Sequence, residues 1–249
     1  ILASELGYDE VALFHVAQLA WLAGLLVPQA MRSALLPVLG ASRQQPSLFK
    51  QHLERVESIC FALVPIGLLS GAAIVWILLP LGFPAEYFDG TLGASARDVF
   101  MILLIGWAIT VLSVPSYTAL QAGDQPWLFT LLIFIVVLSS TVFGFLLIGR
   151  GAQTGSGLAI EMAAYASVAS SFVMLMGGIV LSRRFTAFIQ RGFQWCATLL
   201  IVVVSCVALS QQSYWALIGL GLFILLPQGL EAMKTIVEPP SLLKNDEAE

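Results

Sequence analysis

Residues 127–148, WLFTLLIFIVVLSSTVFGFLLI, run for 22 positions without a charged side chain. Wound into an α-helix, such a run is roughly 33 Å long, close to the hydrocarbon thickness of a bilayer at about 30 Å. Six more apolar runs lie at 11–39, 58–81, 99–121, 158–181, 194–211 and 213–230. Hydrocarbon offers no partner to an unpaired backbone N–H or C=O, so runs of this length must be helical. The alternation of a β-barrel strand is absent, and each run is too long for one. With 59% hydrophobic and 10% charged residues and a mean hydropathy of +0.92, the chain lies outside the range of soluble domains. The expected fold is an all-α integral membrane protein, a bundle of about seven transmembrane helices.

Charge then sets the expected orientation. The loop at 41–57 carries Arg43, Lys50 and Arg55, the loop at 182–193 carries Arg183, Arg184 and Arg191, and the tail carries Lys234 and Lys244. The opposite face has Arg97 and Arg150, which makes eight basic residues against two. This bias places the amino end outside and the carboxyl end in the cytoplasm. The net charge of −4 is concentrated at the chain ends and does not point to nucleic acid. The chain opens on ILASELGYDE, with no initiator Met, no basic leader and no cleavage site, which reads as a fragment of a longer chain.

No connection between the spans is long enough for a soluble domain. The segment 42–58 can place Leu48, Phe49, His52, Leu53 and Val56 on one helical face, with Lys50, Glu54, Arg55 and Glu57 elsewhere. It is expected to be an interfacial amphipathic helix, with a solvated connector as the alternative. Cys60, Cys196 and Cys206 form no CxxC pair and have no histidine cluster beside them. No cofactor, metal site or catalytic constellation is expected, and enzyme activity is the least favoured class.

Several polar groups sit inside the spans. At about 100° per residue, with His15 at 0°, Gln18 falls at 300°, Gln29 at 320°, Arg32 at 260° and Ser33 at 0°. This one-sided sector is expected to face the centre of the assembly, with Leu13, Leu19 and Leu26 turned to neighbours or lipid. Pro28 leaves a backbone carbonyl without its donor and favours a hinge. In the third span Thr110, Ser113, Tyr117 and Gln121 share a face; they suit either a polar pathway or hydrogen bonding between helices. Arg32 suits either a ligand role or snorkelling toward the cytoplasmic interface. Glu161, near Tyr165 at the start of the fifth span, is a candidate for ion coupling or an acid favoured by the helix dipole. Gly67 and Gly71, and the pair Gly177-Gly178, read as close packing faces.

The stretches GYDEVALFHVAQLAWLAGLLVPQAMRSALLPVL (7–39), LLPLGFPAEYFDG (78–90), SVPSYTALQAGDQPW (113–127) and GSGLAIEMAAYASV (155–168) occur in an order that resembles a known family. It is the oligosaccharide and polysaccharide flippases of the multidrug/oligosaccharidyl-lipid/polysaccharide exporter superfamily, and the likeness covers residues 5 to 185. The resemblance implies that residues 1–185 are a carboxy-terminal flippase lobe lacking its first helix. It further implies that 186–233 form the two additional helices of fourteen-helix members and 234–249 a cytoplasmic tail. It implies alternating-access export of a lipid-linked oligosaccharide or polysaccharide precursor across the cytoplasmic membrane. His15, Gln18, Gln29, Arg32, Tyr117 and Gln121 would line the substrate pathway, and Glu161 would couple an ion. The implied partners are membrane lipids, the lipid-linked sugar, an amino-terminal lobe and envelope polysaccharide assembly proteins. The competing expectations are a multidrug or cation antiporter of the same superfamily and a heptahelical receptor or scaffold, although the last span lacks the internal lysine of a retinal protein.

The orientation is directly measurable. Of single-cysteine variants at Ser47 and Gln153 in intact cells, an impermeant thiol reagent is expected to label only Gln153→Cys; labelling of Ser47→Cys would invert the topology.

Overall fold

The computed structural model describes residues 8–91, 93–123 and 126–182, and every regular element among them is helical. Helix α1, Tyr8–Ala41, contains Pro28 and Pro37. A 3-10 turn at Ser42–Gln44 leads to Gln45, whose extended backbone (φ −118°, ψ 90°) is what a following proline imposes. Pro46 then opens α2, Pro46–Ala73, where its missing N–H costs nothing. The rod continues through a π-helical turn, Ile74–Leu78, to Leu79–Gly82. Helix α3, Ala96–Ala122, begins at Ser95, whose hydroxyl accepts the Arg97 backbone N–H at 3.2 Å. Helix α4 runs Pro126–Phe143 and continues through a π turn, Gly144–Ile148, into Gly149–Thr154. Helix α5 is Ser156–Ser182.

Four segments, Val11–Gln44, Ala96–Ala122, Pro126–Thr154 and Gly157–Ser182, are long and apolar enough to cross a membrane. They correspond to the first, third, fourth and fifth expected spans. The second expected span, 58–81, is helical within the α2 rod but is not in that set. The expected spans 194–211 and 213–230, and the basic loop and tail beside them, lie outside the described residues.

The separate interfacial helix expected over 42–58 does not form. Between Pro46 and Pro65 there is no glycine or proline to break the chain, so the segment is the first half of α2 itself. Its expected apolar face is real, since Phe49, His52, Leu53 and Val56 are buried. Glu57, expected to point away, is buried as well.

Helix α3 is the axis of the bundle. Of its most apolar window 89% is buried, against 22% for α1, 17% for α4 and 28% for α5. Trp107 on α3 explains how α1 and α2 reach it. Pro28 has no N–H to offer the carbonyl four residues back, that of Gly24, and the Trp107 indole Nε1–H donates to that carbonyl at 2.8 Å. A Cβ on Gly24 would lie 3.2 Å from the indole, and one on Gly67 would overlap the ring. One turn on, a Cβ on Gly71 would lie 2.6 Å from Leu104 Cδ1. The expected Gly67/Gly71 packing face of α2 is therefore the surface that receives Trp107 and Leu104.

On the other flank α3 and α5 run side by side. Thr110 donates to the Gly106 carbonyl at 2.8 Å and meets Ser171 Oγ at 3.3 Å, while Ser113 donates to the Thr110 carbonyl at 2.7 Å. A Cβ on Gly178 would lie 3.1 Å from Ser116 Cβ, and one on Gly177 would lie 2.7 Å from Leu132 Cδ1 on α4. The Gly177-Gly178 pair is thus a packing face, and Thr110 and Ser113 serve the helices themselves.

Gly67→Ala is expected to lower the thermal midpoint of the detergent-solubilised protein by the equivalent of about 1–3 kcal/mol, because the ring it displaces is pinned to Gly24. Gly40→Ala, where a Cβ would meet nothing within 4 Å, is expected to leave the midpoint unchanged or slightly raised.

Candidate functional site

Helix α1 buries Leu13, Val16, Ala17, Pro28 and Leu39, a face centred at roughly 190° when His15 is set to 0°. The expected polar sector therefore does not turn toward the centre of the described bundle. His15, Gln29 and Ser33 lie on the opposite, open side and are exposed, and Gln18 at the flank is half-buried. Leu13 packs in the core and Leu19 and Leu26 are exposed, as expected for those three. Arg32 lies at the edge of the packed face, and that edge carries it into contact with α3.

There the Arg32 Nε–H donates to Gln121 Oε1 at 3.0 Å. The guanidinium carbon is 5.8 Å from the centre of the Tyr117 ring and 5.3 Å from that of Phe129 on α4. The two rings are 6.5 Å apart and inclined by 45°, forming two walls beside the cation. Tyr117 and Gln121 share a face because they are four residues apart on α3. The structure thus brings together Arg32, Tyr117 and Gln121 from two spans, and leaves His15, Gln18 and Gln29 apart from them. Phe129 escaped the sequence reading; its signal is an aromatic residue in the first turn after the Gln-Ala-Gly turn that closes α3.

Among the described residues only Nε of Arg32 is hydrogen-bonded. The two terminal nitrogens remain available, and a guanidinium so presented matches the paired oxygens of a phosphate or carboxylate. The flanking rings add a cation–π contribution.

Glu161 is at the other end of the bundle. It borders a cavity of about 330 Å³ together with Trp76, Phe88, Asp89, Arg97 and Asp98. The Arg97 guanidinium lies 4.5 Å from the Trp76 ring centre and 5.4 Å from that of Phe88. The aromatic rings thus anchor the one arginine of this cavity. Asp98 was not expected here, because the apolar run begins at Val99; the helix itself begins at Ala96, which draws Asp98 into its first turn. Asp89 accepts the backbone N–H and hydroxyl of Thr91 at 3.0 and 2.7 Å, and these bonds hold its carboxyl below the ordinary range. Among the described residues no group of three or more His, Cys, Asp or Glu is arranged to hold a metal ion.

The chain matches no protein-family model, no curated protein and no solved structure.

His52, buried in the first half of α2, has its pKa lowered from the usual 6.5 by burial and then by the Arg55 charge. A histidine in the unfolded chain takes up a proton below about pH 6.5, whereas the folded one resists until a lower pH. Its contribution to stability is complete above the ordinary value and is lost as the pH falls. The thermal midpoint is expected to fall between about pH 7.5 and pH 5, and to fall less in His52→Gln; equal slopes in the two proteins would remove His52 as the cause.

Proposed function

We propose that the chain is the carboxy-terminal lobe of a flippase that moves a lipid-linked oligosaccharide or polysaccharide precursor across the cytoplasmic membrane by alternating access, without enzymatic chemistry. In this reading the lobe has about seven spans, its amino end outside and its carboxyl end in the cytoplasm. Residues 1–185 form the lobe proper, 186–233 two further helices and 234–249 a tail. It works with an amino-terminal lobe, membrane lipids and envelope polysaccharide assembly proteins.

The observation that supports this reading is Arg32, fixed through Nε by Gln121 and walled by Tyr117 and Phe129, with its terminal nitrogens open. A lipid-linked sugar carries phosphate between an apolar tail and a polar head, so a transporter for it needs a cation at a polar helix face. The open side of α1 supplies such a face, because His15, Gln29 and Ser33 are exposed there with Gln18 at its flank.

Arg32→Ala in the full-length protein is expected to lower polysaccharide export by roughly ten- to a hundredfold, the worth of one charge-assisted hydrogen-bonded contact. Arg32→Lys is expected to restore little, because a point charge does not reproduce a planar fork. Normal export by Arg32→Ala, at equal membrane levels, would exclude the role.

A multidrug or cation antiporter is a second reading, favoured by the cavity that joins Asp98 and Glu161 to Trp76 and Phe88. There Glu161 would couple an ion, and Glu161→Gln would abolish gradient-driven efflux of an organic cation; unchanged efflux in that variant would exclude the coupling role.

A further inference from the structure

Helix α1 is fastened to α3 at two described polar points. Trp107 Nε1 holds the Gly24 carbonyl at 2.8 Å, and Gln121 Oε1 holds Arg32 Nε at 3.0 Å. Between them lies the weakest part of the helix. Gly24 is a poor helix former, and Pro28 removes the intrahelical bond that would close over it. We propose that Pro28–Ala41 is a pivoting arm whose pivot is the Gly24–Pro28 turn, held shut by the Trp107 indole and latched one turn beyond Pro28 by the Gln121–Arg32 hydrogen bond.

The physical case rests on the carbonyl of Gly24. In a membrane a freed carbonyl without a donor is costly, so the turn keeps its present shape only while the indole N–H stays in place. The indole position is in turn set by α2, since the ring fills the space that Gly67 leaves. A shift of α2 against α3 therefore withdraws the donor from the turn and lets the turn bend. One face of the arm is open, with Gln29, Ala30, Ser33, Ala34, Pro37 and Val38 exposed, while the other rests on apolar contacts alone, Met31 and Leu35 on the main core and Leu39 against Phe49, Leu53, Ala119 and Ala122. Its motion carries Arg32, so the pivot would decide where the guanidinium is presented. The proposal does not depend on what Arg32 binds.

Hydrogen–deuterium exchange of the full chain in lipid nanodiscs, followed in a peptide covering residues 26–36, tests it through a double-mutant cycle. Trp107→Phe keeps an aromatic ring but removes the donor, and is expected to speed exchange by roughly tenfold. Pro28→Ala gives position 28 an N–H that bonds Gly24 within the helix, and is expected to slow exchange by a similar factor. In the Pro28→Ala background, Trp107→Phe should then change exchange by less than about twofold, since the carbonyl no longer needs the indole. An equal effect of Trp107→Phe in both backgrounds, or no effect in either, overturns the pivot. If Trp107→Phe does not fold, Pro28→Ala decides alone, and unchanged exchange in that variant overturns it.

Discussion

The carbonyl of Gly24 is where the packing of the described bundle begins. Pro28 deprives it of an intrahelical donor, and no water can supply one at the middle of an apolar helix. The donor is the indole N–H of Trp107, so α3 must approach α1 closely enough for a tryptophan to reach the backbone. Once there, the ring occupies space that only a glycine at position 67 can give, and α2 closes from the other side. One hydrogen bond thus determines the mutual depth of three helices. The α3–α5 contact adds small residues, Gly106, Ser116, Ser171 and Gly178, whose size lets the backbones approach without a large side chain between them.

Much of this was legible in the sequence because it depends on backbone chemistry. Proline at 28 announces a freed carbonyl, and glycines at 67 and 71 announce a close neighbour, whatever that neighbour is. The orientation of the polar sector of α1 was not legible, for a geometric reason. Helical periodicity gives the angles between His15, Gln18, Gln29, Arg32 and Ser33, but it does not say which angle meets α3. The packed face is set by Leu13, Ala17 and Pro28, nearly opposite His15, and only Arg32 at the sector's edge reaches inward. Asp98 was missed for a different reason: hydropathy marks where the apolar run starts, whereas a Ser95 cap starts the helix three residues earlier. The merging of 42–58 into α2 is the same kind of error, since amphipathicity signals a face and not an end.

The two ends of the bundle differ in chemistry. At one end Arg32 lies between Tyr117 and Phe129, and only its Nε is hydrogen-bonded among the described residues. At the other, Arg97 is drawn onto Trp76 and Phe88, and the carboxylates Asp98 and Glu161 border the cavity beside it. Both arginines lie against a pair of aromatic rings, but their polar neighbours differ: a glutamine amide at Arg32, and carboxylates around the cavity that Arg97 borders.

The open surfaces of the bundle also differ. Helix α4 exposes Trp127, Phe134, Val137, Leu138, Phe145 and Leu146, a face with large apolar side chains suited to lipid chains. Helix α1 exposes Leu19 and Leu26 too, but it interleaves them with His15, Gln29 and Ser33 and with the small residues Ala23, Ala30 and Ala34. Amide and imidazole groups are costly in hydrocarbon, and alanines leave room beside them. The α1 surface, which also exposes Leu22, Val27 and Val38, is therefore mixed in character, whereas the α4 surface is stable only away from water. The two faces therefore differ in what they can rest against: α4 suits lipid chains alone, whereas the polar groups of α1 need a polar neighbour beside its apolar ones, and Arg32 lies at the border between that mixed face and the packed core.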